Sequence, residues 1–122
     1  MLGELREGEL QGLPLICGGR SAGARVACRT AAEVGAVAVL CLAFPVHPPG
    51  RGDDPTKSRM PELDAVTVPT LVVQGERDAF GIPPEGPNRL VVLVPGTHSL
   101  RSKAPIAAAV SDWLADIREQ VA

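Results

Sequence analysis

Tyrosine is absent from this chain, and one tryptophan and two phenylalanines are its only aromatic residues. A core must therefore be assembled from valine, leucine, isoleucine and alanine. The scarcity also removes the interleaved basic and aromatic side chains on which nucleic-acid strands stack. Basic residues are not in excess, since 12 Lys and Arg face 14 Asp and Glu for a formal charge of -2. That balance argues against a nucleic-acid partner held by phosphate neutralisation. No apolar run reaches the ~18–20 residues that span a bilayer, so no membrane partner is expected. Met1 to Leu10 is acidic and polar and does not read as a signal peptide. The cytoplasm is the expected location.

Cysteine is sparse as well. Cys17, Cys28 and Cys41 form an odd set with no paired spacing. They read as free thiols in a reducing compartment, each filling space as a small hydrophobe. No Cys or His cluster has metal-ligand spacing, so neither a metal nor another cofactor is expected.

Proline and glycine, in contrast, are plentiful, at 12 and 13 residues. They divide the chain into short apolar runs. The 122 residues suffice for one domain with one modest core, here taken as residues 1–122. Met1 to Gln11, with Leu2, Leu5 and Leu10, reads as the tail of a helix or a frayed end. Leu13–Cys17 and Ala36–Leu42 are unbroken apolar runs, the signature of parallel strands covered on both faces. Between them a helix is predicted from Ala22 to about Glu33, ended by Gly35. Its packing face should hold Val26, Ala27, Thr30, Ala31 and Val34, with Arg25 and Arg29 outward.

From Ala43 to Glu62 five prolines and two glycines argue against regular structure, and Met60–Leu63 reads only as a short helix start. Loops this long in compact domains usually have a function or are disordered. Two more strands follow at Thr70–Gln74 and Leu90–Val94, then a helix from about Pro105 to Gln120. Its stripe is Ile106, Val110, Trp113, Leu114, Ile117 and Val121. The expected fold class is α/β, a parallel four-stranded sheet with flanking helices.

One stretch organises the rest. Gly19-Arg20-Ser21-Ala22-Gly23 fits G-x-S-x-G, the sharp strand-to-helix turn called a nucleophile elbow. The turn strains the serine backbone, and side chains at Gly19 and Gly23 are expected to collide with neighbouring chain. It also aims the first N–H groups of the helix, beginning with Ala22, at the place where an oxyanion would form. Parallel sheets collect ligands at the carboxyl ends of their strands. Ser21 follows the first strand there, Asp78 the third and His98 the fourth. Serine, aspartate, histidine in that order supplies a nucleophile, a partner that fixes the imidazole tautomer, and a base. The Phe44-to-Arg59 loop is expected to shape the pocket, with Phe44 and His47 as candidate substrate contacts. Taken singly, Asp78 also reads as a turn aspartate, and His98 and His47 as loop histidines.

Four segments carry a family resemblance: Gly18–Ala27, Cys41–Gly50, Pro69–Gly81 and Gly96–Leu100. With them the chain resembles the α/β-hydrolase-like family that includes bacterial dienelactone-hydrolase-like proteins and the animal non-specific-lethal complex subunit 3 and testis-expressed relatives. The resemblance implies a triad on Ser21, Asp78 and His98. Ala79 departs from the proline expected after that aspartate. Members of the family carry further strands before the elbow and a loop that supplies a second oxyanion donor. The resemblance therefore implies the C-terminal half of the fold, lacking its N-terminal strands. It leaves the first strand with an unpaired edge open to a homodimer or to the missing half.

The leading expectation is a serine hydrolase acting on a small ester-like substrate through an acyl-enzyme on Ser21. Two other readings stay open. One is a non-catalytic interaction domain that keeps the scaffold, and the other is an inactive fragment of a longer hydrolase.

Overall fold

The computed structural model describes residues 15–121, with side-chain environments described to residue 119. The expectations for Met1 to Gln11, and for Leu13 and Pro14, lie outside the described residues. The elements are β1 (Ile16–Arg20), α1 (Ala22–Val34), β2 (Ala38–Leu42), a 3-10 turn (Pro55–Lys57), α2 (Met60–Asp64), β3 (Thr70–Gly75), β4 (Arg89–Val94) and α3 (Lys103–Val121). The four strands lie in the order β1-β2-β3-β4, and every pairing is parallel. No helix among the described residues is long and apolar enough to cross a membrane.

The sheet is covered on both faces. On one, Ala24, Ala27, Cys28 and Ala31 of α1 pack on Cys17, Val39, Cys41 and Val72, with Leu63 of α2 and Phe44 completing the layer. On the other, Trp113 and Ile117 of α3 meet Ala38, Leu71, Val73 and Val94. Adjacent residues of β3 point to opposite faces, as the period of two requires, and all six of its residues are buried. The small residues of α1 let that helix lie close against the sheet.

Several boundaries depart from those predicted. β1 runs on to Arg20, three residues past the end of the run Leu13–Cys17, because ladder pairing, not side-chain apolarity, defines the strand. Gly18 and Gly19 pair with Leu40 and Cys41. β2 begins at Ala38 because the N–H of Ala36 bonds the Ala31 carbonyl at 2.9 Å and closes α1 instead. Gly35 ends that helix at φ 69°, a left-handed conformation that glycine adopts without penalty. The long loop is not wholly irregular. Asp54 accepts from the Thr56 N–H at 2.9 Å and the Thr56 hydroxyl at 2.6 Å and caps a single 3-10 turn.

The face of α1 also differs. Val26, predicted to pack, is 47% exposed. At about 100° per residue it stands some 200° around the helix from Ala24, opposite the buried stripe. Arg25, predicted to point outward, is half-buried. α2 returns over the start of α1 and presents Glu62 to it, with Arg25 Nε and an Nη nitrogen each donating to a carboxylate oxygen at 2.8 Å. In α3, Leu114 is 39% exposed rather than packed.

Candidate functional site

Ser21 occupies the turn between β1 and α1 with φ 53° and ψ −117°. A non-glycine residue in that region costs on the order of 1–3 kcal/mol and persists only where its surroundings hold it. Three contacts do so here. The Ser21 N–H donates to the Leu42 carbonyl at 2.9 Å, and the Ser21 carbonyl accepts from the N–H groups of Ala24 and Arg25. Gly19 makes room for the return of the chain. A Cβ there would overlap the Gly23 carbonyl and lie 2.7 Å from Ala24 N. Gly23 has no such constraint, because a Cβ built on it meets nothing within 4 Å. The expectation of a collision at Gly23 is corrected accordingly.

The turn lifts the serine hydroxyl toward the histidine after β4. Ser21 Oγ lies 2.8 Å from His98 Nε2, and His98 Nδ1 lies 2.8 Å from Asp78 Oδ2. A carboxylate can only accept, so Nδ1 carries the proton in this arrangement. That leaves Nε2 with a lone pair facing the hydroxyl. The Asp78 side chain is fully buried and that of His98 is 20% exposed. The other contacts of the Asp78 carboxylate among the described residues are donors as well: the Phe80 N–H reaches Oδ1 at 2.7 Å, and Gln74 Nε2 reaches Oδ2 at 3.1 Å. The Phe80 ring stacks on the imidazole with centroids 4.1 Å apart. The aspartate and the ring are thus positioned before any substrate arrives.

Two further residues hold this arrangement. Gln74, the fifth residue of β3, is completely buried. Its amide oxygen accepts from the Phe44 N–H at 3.0 Å, and its nitrogen reaches the carbonyls of Phe44 and Gly81 at 2.8 Å each, besides Asp78. Arg20 spans from the end of β1 to the histidine loop, donating to the Ser99 carbonyl at 2.8 Å and the Leu100 carbonyl at 3.1 Å. A polar residue at the end of the apolar run Leu71-Val72-Val73 is a signal that would have found Gln74. Nothing local marks Arg20, because its partners are 79 and 80 residues away.

A cavity of about 220 Å³ opens beside Ser21, lined by Ala22, Arg25, His47, Arg59 and Phe80 among others. Ala22 N–H has no hydrogen-bond acceptor among the described residues. It is the first residue of α1, where the helix dipole favours negative charge. His47 is tied to the loop by an Nδ1 contact of 2.7 Å to the Pro48 carbonyl, while its own N–H donates to the Phe80 carbonyl at 3.1 Å. Phe44, expected to contact substrate, does not line the cavity. Gln74 captures its backbone, and its fully buried side chain joins the core under α1. A larger cavity of about 440 Å³ lies at the opposite end of the sheet, where β3 and β4 begin. It contains neither serine nor histidine, and ligand sites in parallel sheets form at the other edge.

Charge around the smaller cavity is asymmetric. The Arg25 hydrogen bonds hold the Glu62 carboxyl below its usual range, and the charges of Arg25, Arg29 and Arg59 add to the effect against a lesser cost of burial. The thiols take no part. All three are buried and free, with Cys28 and Cys41 Sγ 3.6 Å apart. The hydrogen bond to Cys28, then burial, push the Cys41 thiol well above its ordinary range. Burial also raises Cys17. Among the described residues no cluster of three or more His, Cys, Asp or Glu side chains is placed to hold a metal.

A parallel sheet sandwiched by helices, with a serine on a strained strand-to-helix turn at its carboxyl edge, is the arrangement of an α/β hydrolase. A family model described as an alpha/beta hydrolase domain matches residues 3–105. The chain belongs to that family. Comparison with curated proteins returned no significant match.

Proposed function

We propose that this chain is a serine hydrolase that cleaves an ester or related acyl bond through Ser21. The observation that supports the reading is the unbroken chain of hydrogen bonds from Ser21 Oγ through His98 to Asp78. Ser21 Oγ attacks the acyl carbon as its proton passes to His98 Nε2. Asp78 steadies the imidazolium that forms. The negative charge gathering on the carbonyl oxygen falls toward Ala22 N–H. Collapse of the tetrahedral species breaks the bond to the leaving group, which takes the proton from Nε2 and departs as an alcohol. Water then attacks the acyl-enzyme, giving its proton to the same nitrogen. The carboxylic acid leaves, and the proton returns to Oγ.

Each oxyanion donor contributes on the order of 10²–10³ in rate. Ala22 N–H supplies the one donor found among the described residues, and turnover with it alone should be slow. Labelling therefore tests the reading better than turnover does. A fluorophosphonate probe is expected to attach to Ser21 in the wild-type chain, and both Ser21→Ala and His98→Ala should abolish the adduct. Equal labelling of wild type and Ser21→Ala would overturn the assignment and leave the scaffold as an interaction domain.

A further inference from the structure

We infer that the ester received beside Ser21 carries a carboxylate, and that Arg59 is the residue that binds it. The inference rests on the hydrolase reading only for the word ester, since the anion site stands on charge and geometry alone.

The cavity wall holds two guanidiniums and no acidic side chain. Arg25 is already satisfied, with both oxygens of Glu62 engaged at 2.8 Å. Arg59 is different. Its backbone is anchored, with the N–H donating to the Val46 carbonyl at 2.6 Å, at the entry to α2. Its side chain lies in the cavity wall and makes no hydrogen bond or ion pair among the described residues. Its charge acts on Glu62, as does that of Arg29, but both carboxylate oxygens there are engaged by Arg25. Arg59 therefore brings a positive charge with no hydrogen-bonded counter-ion to the cavity beside Ser21.

Arg59 is half-buried, and its guanidinium has no hydrogen-bond partner among the described residues. Its planar fork matches a carboxylate in bidentate fashion. The same cavity is lined by Phe80, a flat apolar surface already stacked on the histidine. An acyl chain resting there would point a terminal carboxylate toward Arg59 while its ester carbonyl meets Ser21. At about 220 Å³ the space suits a small metabolite rather than a drug-sized ligand. The substrate class is thus the monoester of a short dicarboxylic acid.

The test compares para-nitrophenyl hydrogen succinate with para-nitrophenyl butyrate, alike in length but differing in charge. Wild type should prefer the acidic ester in kcat/KM. In Arg59→Gln the ratio of acidic to neutral ester should fall by about tenfold to a hundredfold, as expected for a charged hydrogen bond. Arg59→Lys, which keeps the charge, should recover part of it. A ratio that does not move in Arg59→Gln overturns the inference. A binding arm separates this site from the chemistry. Millimolar succinate should raise the melting temperature of Ser21→Ala and block fluorophosphonate labelling of wild type, whereas butanediol should do neither. If the fluorophosphonate labels wild type and Ser21→Ala equally but succinate still stabilises Ser21→Ala, the anion site stands and the hydrolase reading falls. If succinate neither stabilises nor protects, the anion site falls whatever the turnover.

Discussion

Arg20, the residue immediately before the elbow serine, grips the carbonyl of Ser99, the residue immediately after the site histidine, at 2.8 Å. The second hydrogen bond, to Leu100, lands on a residue held at φ 48°. The two loops that must meet for Ser21 to touch His98 are thereby fastened by one guanidinium. Fork geometry lets arginine bridge two successive carbonyls from two separate nitrogens in a fixed plane, which a lysine's single ammonium does not reproduce. Arg20→Ala should leave the probe able to reach Ser21 but slow its attachment by about tenfold to a hundredfold, in line with two charged hydrogen bonds. Arg20→Lys should recover only part of the rate. A positioning role predicts that the loss appears in kcat with little change in KM. An equal change in both would assign Arg20 to substrate binding instead.

Gln74 poses a different case, because it is buried and fully used. Its amide nitrogen has two hydrogens for three acceptors, so the contact to Asp78 at 3.1 Å is the weakest of the set. Gln74→Leu fills the same space but strands the Phe44 N–H, two carbonyls and part of the Asp78 carboxylate. A buried unsatisfied group costs ~1–3 kcal/mol, so the variant should lose at least ~2 kcal/mol in urea denaturation. Gln74→Glu should be worse, since it brings a second carboxylate against Asp78. A Gln74→Leu chain as stable as wild type would show that water or movement of the Phe44 loop replaces these bonds.

The parts of this molecule that sequence makes legible are those governed by local pattern. The apolar run Leu71–Val73 within the predicted strand Thr70–Gln74 marked β3, and the spacing of Trp113 and Ile117 marked the buried side of α3. Parallel strands with polar residues at their ends brought Ser21, Asp78 and His98 to one edge, and the family match is consistent with that architecture. Long-range hydrogen bonds were not legible. Phe44 looked like a pocket residue until Gln74, thirty residues away, took its backbone. Arg25 looked solvated until Glu62, thirty-seven residues on, covered it. The strand β1 was misplaced because two glycines carry no hydrophobic signal, although their backbones complete the ladder.

The Arg25–Glu62 pair gives the chain a defined acid response. Hydrogen bonding to Arg25 depresses the folded-state carboxyl below the ~4.3 of an unfolded glutamate. A depressed folded value means that the stabilisation is complete above the unfolded value and disappears as pH falls through the folded one. The side chains are 27% and 21% exposed, so solvent screening limits the contribution to about 1 kcal/mol. Wild type should exceed Glu62→Gln by about that amount at neutral pH, and the gap should close as pH falls through the depressed folded-state value. A gap that persists unchanged in acid would assign the effect to packing of α2 on α1 rather than to charge.

The two glycines of the elbow should behave oppositely, although the motif treats them alike. At Gly19 the obstructing atoms belong to the backbone of Gly23 and Ala24, which no rotamer change can move. Gly19→Ala must therefore push α1 away from β1, and with it the Ser21 hydroxyl. Such overpacking against fixed backbone should cost at least ~3 kcal/mol and abolish probe labelling even where the chain still folds. Gly23 lies in the first turn of α1 with open space beyond its Cα. Alanine there removes unfolded-state freedom without a clash, so Gly23→Ala should be neutral or gain up to ~1 kcal/mol. Melting curves and labelling of the two variants side by side decide the matter. If Gly23→Ala proves as damaging as Gly19→Ala, the space beside Gly23 is not open and the asymmetry of the two glycines falls.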